Sequence, residues 1–333
     1  MRQWAGSLAR KVLPTRQLRG ARHRLLAESA FLAQQFWLRR RGVAFYNFWE
    51  TPEPRNRWFA RFLQRPALVR LARKRRVAFV SVFGERSILP RIQADAIIFY
   101  TGENLANRPA YGDHLFGEVD LALGFDHLQR ADYLRFPLWL LMCFEPNYDH
   151  AGIERQLQAW TERRCTIVSR PPMEASMVAR YDPDGSRARI GDLYAGYGTV
   201  HYGGAFRGTG ALVPPGHEHK AAFLRQYPLT LCPENSSRPG YVTEKLFQAL
   251  AAGCIPVYAG PPDAIEPGII NEDAILYYPF DRPEKLVPQL TALRDRQTAL
   301  QDWSVQSPFC AGASERIHSY YLDLESRLID LLT

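Results

Sequence analysis

The 333-residue chain lacks three features, each of which would have marked a different class of protein. It has no long apolar run. "FPLWLLMCF" extends for about nine residues around a proline, well short of the ~20 that cross a bilayer. The first twenty residues, "MRQWAGSLARKVLPTRQLRG", hold no apolar core before a cleavage site, so no signal peptide is expected. It also has no paired cysteine framework. Cys143, Cys165, Cys232, Cys254 and Cys310 are odd in number, scattered and without metal-ligand spacing, the pattern of reduced thiols in a cytoplasmic protein. Third, its first quarter is nearly free of acids. Residues 1–76 hold 19 Lys and Arg against Glu28, Glu50 and Glu53, whereas the remaining 257 carry 23 bases and 31 acids. Internal repeats and low-complexity tracts are missing as well. With 46% hydrophobic and 12% aromatic residues, the chain reads as a packed globular protein long enough for two domains.

The charge asymmetry implies a basic face turned toward something anionic. Nucleic acid is disfavoured, because no recognition motif is present and the bases do not interleave with aromatics on a sheet. In "RNRWFARFLQRPALVRLARKRR", Arg57, Arg61 and Arg65 recur every four residues, with Trp58, Phe59, Phe62 and Leu63 on another face. Two readings fit this pattern: a helix lying on an anionic membrane, or a surface helix packing its aromatics into a core. Residues 1–42 read as a basic helical extension outside the main fold. Beyond it, "GVAFYNFW", "VAFVSVF", "AIIFY" and "VDLALGF" read as strands of a mainly parallel sheet. A second set comprises "TIVS", "YPLTLCPEN", "CIPVYAG" and "AILYYPF". A helix over "YDHAGIERQLQAWTERRC" makes residues 145–165 an expected hinge, and "SERIHSYYLDLESRLIDLL" is a closing amphipathic helix. The fold class expected is α/β, with two Rossmann-like domains facing across a cleft.

Two segments carry candidate chemistry. In "IIFYTGEN", residues 97–104, a buried strand ends on a turn that presents a lone carboxylate, Glu103. Catalytic bases of α/β enzymes stand at such strand ends, and so do merely solvated turn acids. In "LCPENSSRPGYVTEKLFQALAAGCIPVYAGPP", residues 231–262, a strand enters a loop with Asn235, Ser236 and Pro239-Gly240. A helix follows whose start holds Tyr241, Val242, Thr243, Glu244 and Lys245. Free amides at a helix N-terminus form an anion site, Lys245 adds charge for a diphosphate, and Glu244 can accept hydrogen bonds from sugar hydroxyls. A capped helix with solvated side chains would read the same way. Metal signals are weak: Asp182 and Asp184 of "YDPDGS" sit in a Pro/Gly turn, and His217, Glu218 and His219 of "GHEHK" alternate in a polar loop. "HYGGAFRGTG" reads as a flexible glycine-rich loop, since no strand-turn-helix context makes it a dinucleotide fingerprint.

"PENSSRPGYVTEK" followed by "CIPVYAG" resembles the donor-loop signature of the bacterial-type α1,3-fucosyltransferases, roughly F-E-N-S-x-x-x-x-Y-[VI]-T-E-K before a helix and [IV]-P-[VI]. Pro233 stands where that family has an aromatic residue. "FYTGENLANRP" with "VDLALGFDHLQRADYLRFPLWLL" resembles its acceptor-domain segment, and "SRARIGDLYAGYGTVHYGGAF" resembles the stretch whose arginine holds the donor diphosphate. The resemblance covers residues 43–325.

It implies a GT-B-type glycosyltransferase fold. An acceptor-binding Rossmann-like domain would span 43–160, a GDP-sugar-binding one 161–305, and a C-terminal helix over 306–333 would pack back across them. It implies Glu103 as general base, with Arg187, Glu244 and Lys245 also catalytic. Arg187, Asn235, Ser236, Tyr241, Val242, Thr243, Glu244 and Lys245 would line the GDP-fucose site; Trp49, Tyr100, Glu103 and Asn104 would face the acceptor. The reaction implied is inverting α1,3- (or α1,3/1,4-) transfer of fucose to the N-acetylglucosamine of a β-galactosyl-N-acetylglucosamine glycan, giving a Lewis-type product. No metal site and no obligatory cofactor are expected, although a divalent ion could stimulate. The partners expected are GDP-fucose, an oligosaccharide or lipid-linked glycan and an anionic membrane surface, without nucleic acid. The expected location is cytoplasmic, peripheral on the inner face of the cytoplasmic membrane. The alternatives are transfer from another GDP-sugar on the same scaffold, or a non-catalytic membrane-surface binding protein.

Overall fold

The computed structural model describes residues 15–49, 57–208, 212–261, 265–296 and 298–333, with side chains from residue 25 onward. The start of the expected basic extension, residues 1–14, lies outside the described residues. Two five-stranded parallel sheets form the framework. In the first, β1 (Val43–Tyr46), β2 (Val77–Val80), β3 (Ala96–Tyr100), β4 (Leu121–Gly124) and β5 (Tyr133–Arg135) lie side by side in chain order. The second comprises β6 (Glu174–Met177), β7 (Thr199–Tyr202), β8 (Leu229–Pro233), β9 (Ile255–Ala259) and β10 (Leu276–Tyr277), in the order β10-β9-β8-β6-β7. That order reverses direction between β6 and β8, and ligands of open α/β sheets bind beyond the carboxyl ends of strands at such a point.

Around the first sheet stand α1 (Thr15–Arg41), α2 (Trp58–Phe62), α3 (Val69–Ala72), α4 (Leu138–Cys143) and α5 (His150–Arg164). The second carries α6 (Ser186–Ala195), α7 (His217–Leu224), α8 (Glu244–Ala251), α9 (Val287–Asp295) and α10 (Ala299–Val305), and α11 (Ala313–Leu332) closes the chain. The α/β class, the paired parallel sheets and the closing helix are as the sequence leads one to expect. Three local expectations differ. "TIVS" is a 3-10 turn over Cys165–Ser169, ended by Pro171 and Pro172, and the strand there is β6 with its unremarkable sequence "EASM". β5 and β7 carried no clear strand signal, being short and flanked by polar or glycine-rich residues. The segment expected to be a hinge is α5, whose Ile153, Leu157 and Trp160 are buried in an apolar core continuous from the first sheet to α8 of the second domain.

Alternation along the first sheet explains why α1 cannot be a loose extension. Phe45, Val77, Phe79, Ile98 and Tyr100 point to one face and meet Phe59 and Phe62 of α2. Ala44, Tyr46, Ala78, Val80 and Phe99 point to the other face, which Phe31 and Leu38 of α1 help to close. Gln34 Oε1 accepts from the Phe45 amide at 2.9 Å, and Gln35 Nε2 donates to the Arg91 carbonyl at 3.1 Å. The expected basic extension is therefore built into the fold in its second half. In the following basic segment, the core-helix reading is the one found. Phe59, Phe62 and Leu63 are buried, Arg65 pairs with Glu325 of α11 at 2.7 Å, and Arg61 pairs with Glu145 at 2.5 Å.

Phe31→Ala should lower unfolding free energy by about 3–5 kcal/mol, the range for a buried aromatic cut to alanine. Urea denaturation followed by fluorescence measures this. An unchanged midpoint would mean that α1 only leans on the sheet.

Candidate active site

The turn after β3 is shaped by its own residues. The Glu103 amide donates to the Thr101 hydroxyl at 3.0 Å, and a side chain at Gly102 would meet Leu138 Cβ at 2.9 Å. Glu103 is left half-buried, and its carboxylate makes no hydrogen bond or ion pair among the described residues. Just before it, the Tyr100 hydroxyl is fully buried and unpartnered among the described residues. Trp49, 38% exposed, stands 6.3 Å from the Tyr100 ring and 5.8 Å from that of Phe83. The Tyr100 phenol pKa is raised first by burial and then by the charges of Glu103 and Glu244. Both carboxylates also act on the buried phenol of Tyr241. Glu103 of one domain and Glu244 of the other thus act on the same two buried phenols.

The donor-side loop is organised by a residue that sequence reasoning passed over, Glu234. Only 1% exposed, it accepts at Oε1 from the Thr243 amide (2.8 Å) and the Tyr258 hydroxyl (3.2 Å). At Oε2 it accepts from the Thr243 hydroxyl (2.6 Å) and Lys245 Nζ (2.9 Å). Three amides just ahead of α8 are taken up within the loop. The Thr243 amide already serves Glu234, the Val242 amide binds the Gly240 carbonyl, and the Tyr241 amide binds the Arg238 carbonyl. The resident anion of that helix start is a side chain. The only sequence signal for Glu234 was its place in "PENS". Tyr241 and Val242 are 2% exposed and turn their side chains into the interior, Tyr241 against Phe125 at 4.9 Å.

Beyond this plug a small cavity is lined by Arg187, Lys220 and Lys245 with Val178, Thr230 and Cys232, so three cations share one wall. Arg187 donates to Asn235 Oδ1 at 2.6 Å and to the Tyr181 carbonyl. Burial opposes the Lys245 ammonium, but Glu234 and Glu244 outweigh it and hold its pKa above the ordinary lysine value. Burial would likewise raise the Glu244 carboxyl, yet Lys245 and then Lys220 hold it below the usual carboxylate range. Lys220, on α7, was not expected in the site; it lies in a segment otherwise notable only for its histidines. The other metal-like signals have structural work. Asp182 accepts from the amides of Arg187 and Ala188, and Asp184 from that of Ser186, so both cap α6. His217 faces Gln248 and His219 the Pro215 carbonyl.

The two halves of the site are tied by Arg238, a second residue that sequence reasoning missed. From the donor loop it reaches Asp126 Oδ1 at 2.7 Å and Asn104 Oδ1 at 3.0 Å. Asp126 in turn lies 3.0 Å from Nε2 of buried His114. The Asn104 oxygen also accepts from the Ala106 amide, so this neighbour of Glu103 serves as an anchor between loops. Gly240, at φ +73°, lets the loop approach closely, since a Cβ there would sit 3.0 Å from the Phe125 carbonyl. Ser236 is half-buried in this loop, beside Ser237, whose hydroxyl donates to the Gly260 carbonyl.

Comparison with known proteins agrees with this division. Residues 43–142 match the family model of the alpha-(1,3)-fucosyltransferase FucT N-terminal domain, and residues 169–305 that of the glycosyltransferase family 10 (fucosyltransferase) C-terminal part. An alpha-(1,3)-fucosyltransferase FucT of Helicobacter pylori is 27% identical over 234 residues, which are 63% of this chain and 47% of that protein. A GDP-fucose protein O-fucosyltransferase 3 of Bos taurus is 37% identical over 86 residues, 25% of this chain and 18% of its own. The matched region thus spans less than half the length of these relatives. A crystal structure of an alpha1,3-fucosyltransferase with GDP superposes with a TM-score of 0.54 at 22% identity, covering 85% of this chain and 89% of that one, a likeness of fold.

Glu234→Gln should cost about 3–5 kcal/mol of stability, because it leaves Lys245 without its buried counter-charge and turns an amide toward other donors. Denaturant titration of the variant measures the loss. A loss below about 1 kcal/mol would mean that the loop holds its shape without the carboxylate.

Proposed function

From the premise that the chain belongs to the α-1,3-fucosyltransferases of glycosyltransferase family 10, we propose that it transfers fucose from GDP-fucose to a glycan hydroxyl with inversion. The observation that carries this reading is Glu103, free of any ion pair among the described residues, on a turn that Asn104 and Arg238 tie to the loop leading into Lys245 of the Arg187–Lys220–Lys245 cluster. Glu103 takes the proton of the acceptor hydroxyl as its oxygen bonds to the anomeric carbon. The nucleoside diphosphate departs from the opposite face toward the three cations. Positioned charges that meet charge as it develops supply the larger share of such catalysis, and a base adds ~10²–10⁴-fold. Glu244 stays ionised beside the developing oxocarbenium charge. The acceptor we favour is the N-acetylglucosamine of a β-galactosyl-N-acetylglucosamine unit, linked α1,3 or α1,4 to give a Lewis-type product. Fixed cations suffice for the leaving group in this reading, so a divalent metal is stimulatory at most. A transferase for another GDP-sugar would keep the same cation wall and differ in donor preference.

The reading extends to a membrane surface. On α1, Leu25, Leu32 and Phe36 are 69%, 58% and 54% exposed and share one helix face by their spacing, with Arg39, Arg40 and Arg41 at its end. An apolar stripe beside bases suits a helix lying on anionic lipid, each basic residue contributing ~1 kcal/mol near the surface. No helix among the described residues is long and apolar enough to cross a membrane. We place the protein peripherally on the inner face of the cytoplasmic membrane.

Three outcomes follow. Glu103→Gln should cut turnover by ~10²-fold or more while GDP binding, read by calorimetry, stays unchanged; retained turnover would remove Glu103 from the chemistry. Lys220→Ala should weaken GDP binding roughly tenfold or more, the worth of one charge-assisted contact, and an unchanged affinity would place Lys220 outside the donor site. The pair Leu32→Ser and Phe36→Ser should reduce co-sedimentation with phosphatidylserine vesicles without changing turnover on soluble acceptors. Equal sedimentation of both proteins would give α1 no role on the membrane.

A further inference from the structure

A groove of about 530 Å³ opens between α1 and the carboxyl ends of β1 and β2, within the ~300–1,000 Å³ of ligand sites. Phe31, Ala30 and Gln34 of α1 form one wall, and Asn47, Phe48 and Phe83 the other. We propose that this groove is an extended acceptor subsite, holding the sugars that lie beyond the one receiving fucose. The inference rests on the transferase reading and adds where the rest of the acceptor goes.

Three observations choose the occupant. Packed aromatic rings link the groove wall to the strand that ends on the Glu103 turn. Phe48 lies 6.5 Å from Tyr100, the end of β3, and Trp49 lies 5.4 Å from Phe48 and 5.8 Å from Phe83. Arg108, just past the Glu103 turn, covers Phe83 at 5.2 Å. Its charge is close to balanced, since Glu28 and Arg91 pair with each other at 2.5 Å, which disfavours a strongly anionic ligand. Its chemistry is mixed. Phe83, 37% exposed, offers ring surface to the C–H face of a pyranose beside Arg108. The Gln34 oxygen is committed to the Phe45 amide, so its NH₂ remains as a donor for hydroxyls, and Glu85 and Ser87 stand exposed at the rim. Asn47, held at φ +56° and donating to the Glu85 carbonyl at 3.1 Å, keeps the β1 and β2 ends of the wall together. A neutral oligosaccharide satisfies these surfaces better than an alkyl chain, which would leave the polar groups unpaired. The α1 wall precedes residue 43, where the family match begins, so the subsite belongs to this chain's own N-terminal helix.

The test compares a β-galactosyl-N-acetylglucosamine disaccharide with the tetrasaccharide formed from two such units, on the full chain. The wild type should use the tetrasaccharide about tenfold better in kcat/KM, through KM, a difference that one or two added contacts supply. Ala30 is exposed, so Ala30→Trp fills the groove without touching the core. It should abolish the length preference and leave the disaccharide within about twofold, twofold being well under half a kcal/mol. Phe83→Ala, which shortens the other wall, should lower the preference in the same direction. Binding of the tetrasaccharide without donor, followed by NMR, should weaken in both variants. Loss of all transfer with that binding difference intact would overturn the transferase reading and leave the subsite standing. Equal use of both lengths by an active wild type, a preference unaltered by Ala30→Trp, or a preference that follows an alkyl aglycone instead of added sugars would each overturn it.

Discussion

Glu234 is charged, almost wholly buried and met by four donors, and the donor loop takes its shape from it. A carboxylate out of water survives only when its lone pairs are answered, and here the answering groups come from three places. Thr243 opens α8, Lys245 stands in its first turn, and Tyr258 belongs to β9. One side chain at the end of β8 therefore binds a helix start and a neighbouring strand together and aims the lysine of the cation wall. Beside it, Arg187, Lys220 and Lys245 line one small cavity.

The same loop carries the ties to the first domain. Arg238 crosses to Asp126 and Asn104, and Gly240 lies against Phe125. Beneath it, Arg135 of β5 donates to Glu266 at 2.7 Å and to the Gly240 carbonyl at 3.3 Å, and Trp139 Nε1 donates to the same Glu266 at 3.0 Å. Trp139 stacks on Phe247 of α8 at 4.2 Å, and α11 buries Ile317, Tyr321 and Leu324 in the shared core. Polar ties to backbone and a dry aromatic contact act together here, so the Glu103 turn and the loop before α8 are held to one another. In the transferase reading this junction would preorganise the site, which is how fixed charges gain their effect in catalysis.

What the sequence disclosed follows the reach of each signal. Strands such as "VAFV" and "AIIFY" are buried on both faces and, apart from one alanine each, β-branched or aromatic, so their runs were legible. β6 and β7 were not, because "EASM" and "TVHY" owe their place to neighbours. Glu103, Arg187 and the residues of the donor loop were singled out through motif resemblance. Glu234 and Arg238 lay inside the same quoted segments unnoticed, since their meaning comes from partners distant in the chain: Tyr258 for one, Asp126 and Asn104 for the other. α1 was misjudged for a related reason. Its basic composition dominated its pattern, while the two residues that matter to the fold, Phe31 and Leu38, are seven apart and their target face shows only in three dimensions.

The central claim is that Glu103 activates a hydroxyl on one side of the sugar while the cation wall receives the diphosphate on the other. Its most direct test is the anomeric configuration of the product made from GDP-fucose and a β-galactosyl-N-acetylglucosamine acceptor, read by NMR from the coupling of the new anomeric proton. The arrangement predicts an α-linked fucose from the β-linked donor. A β-linked product, formed with retention, would contradict it.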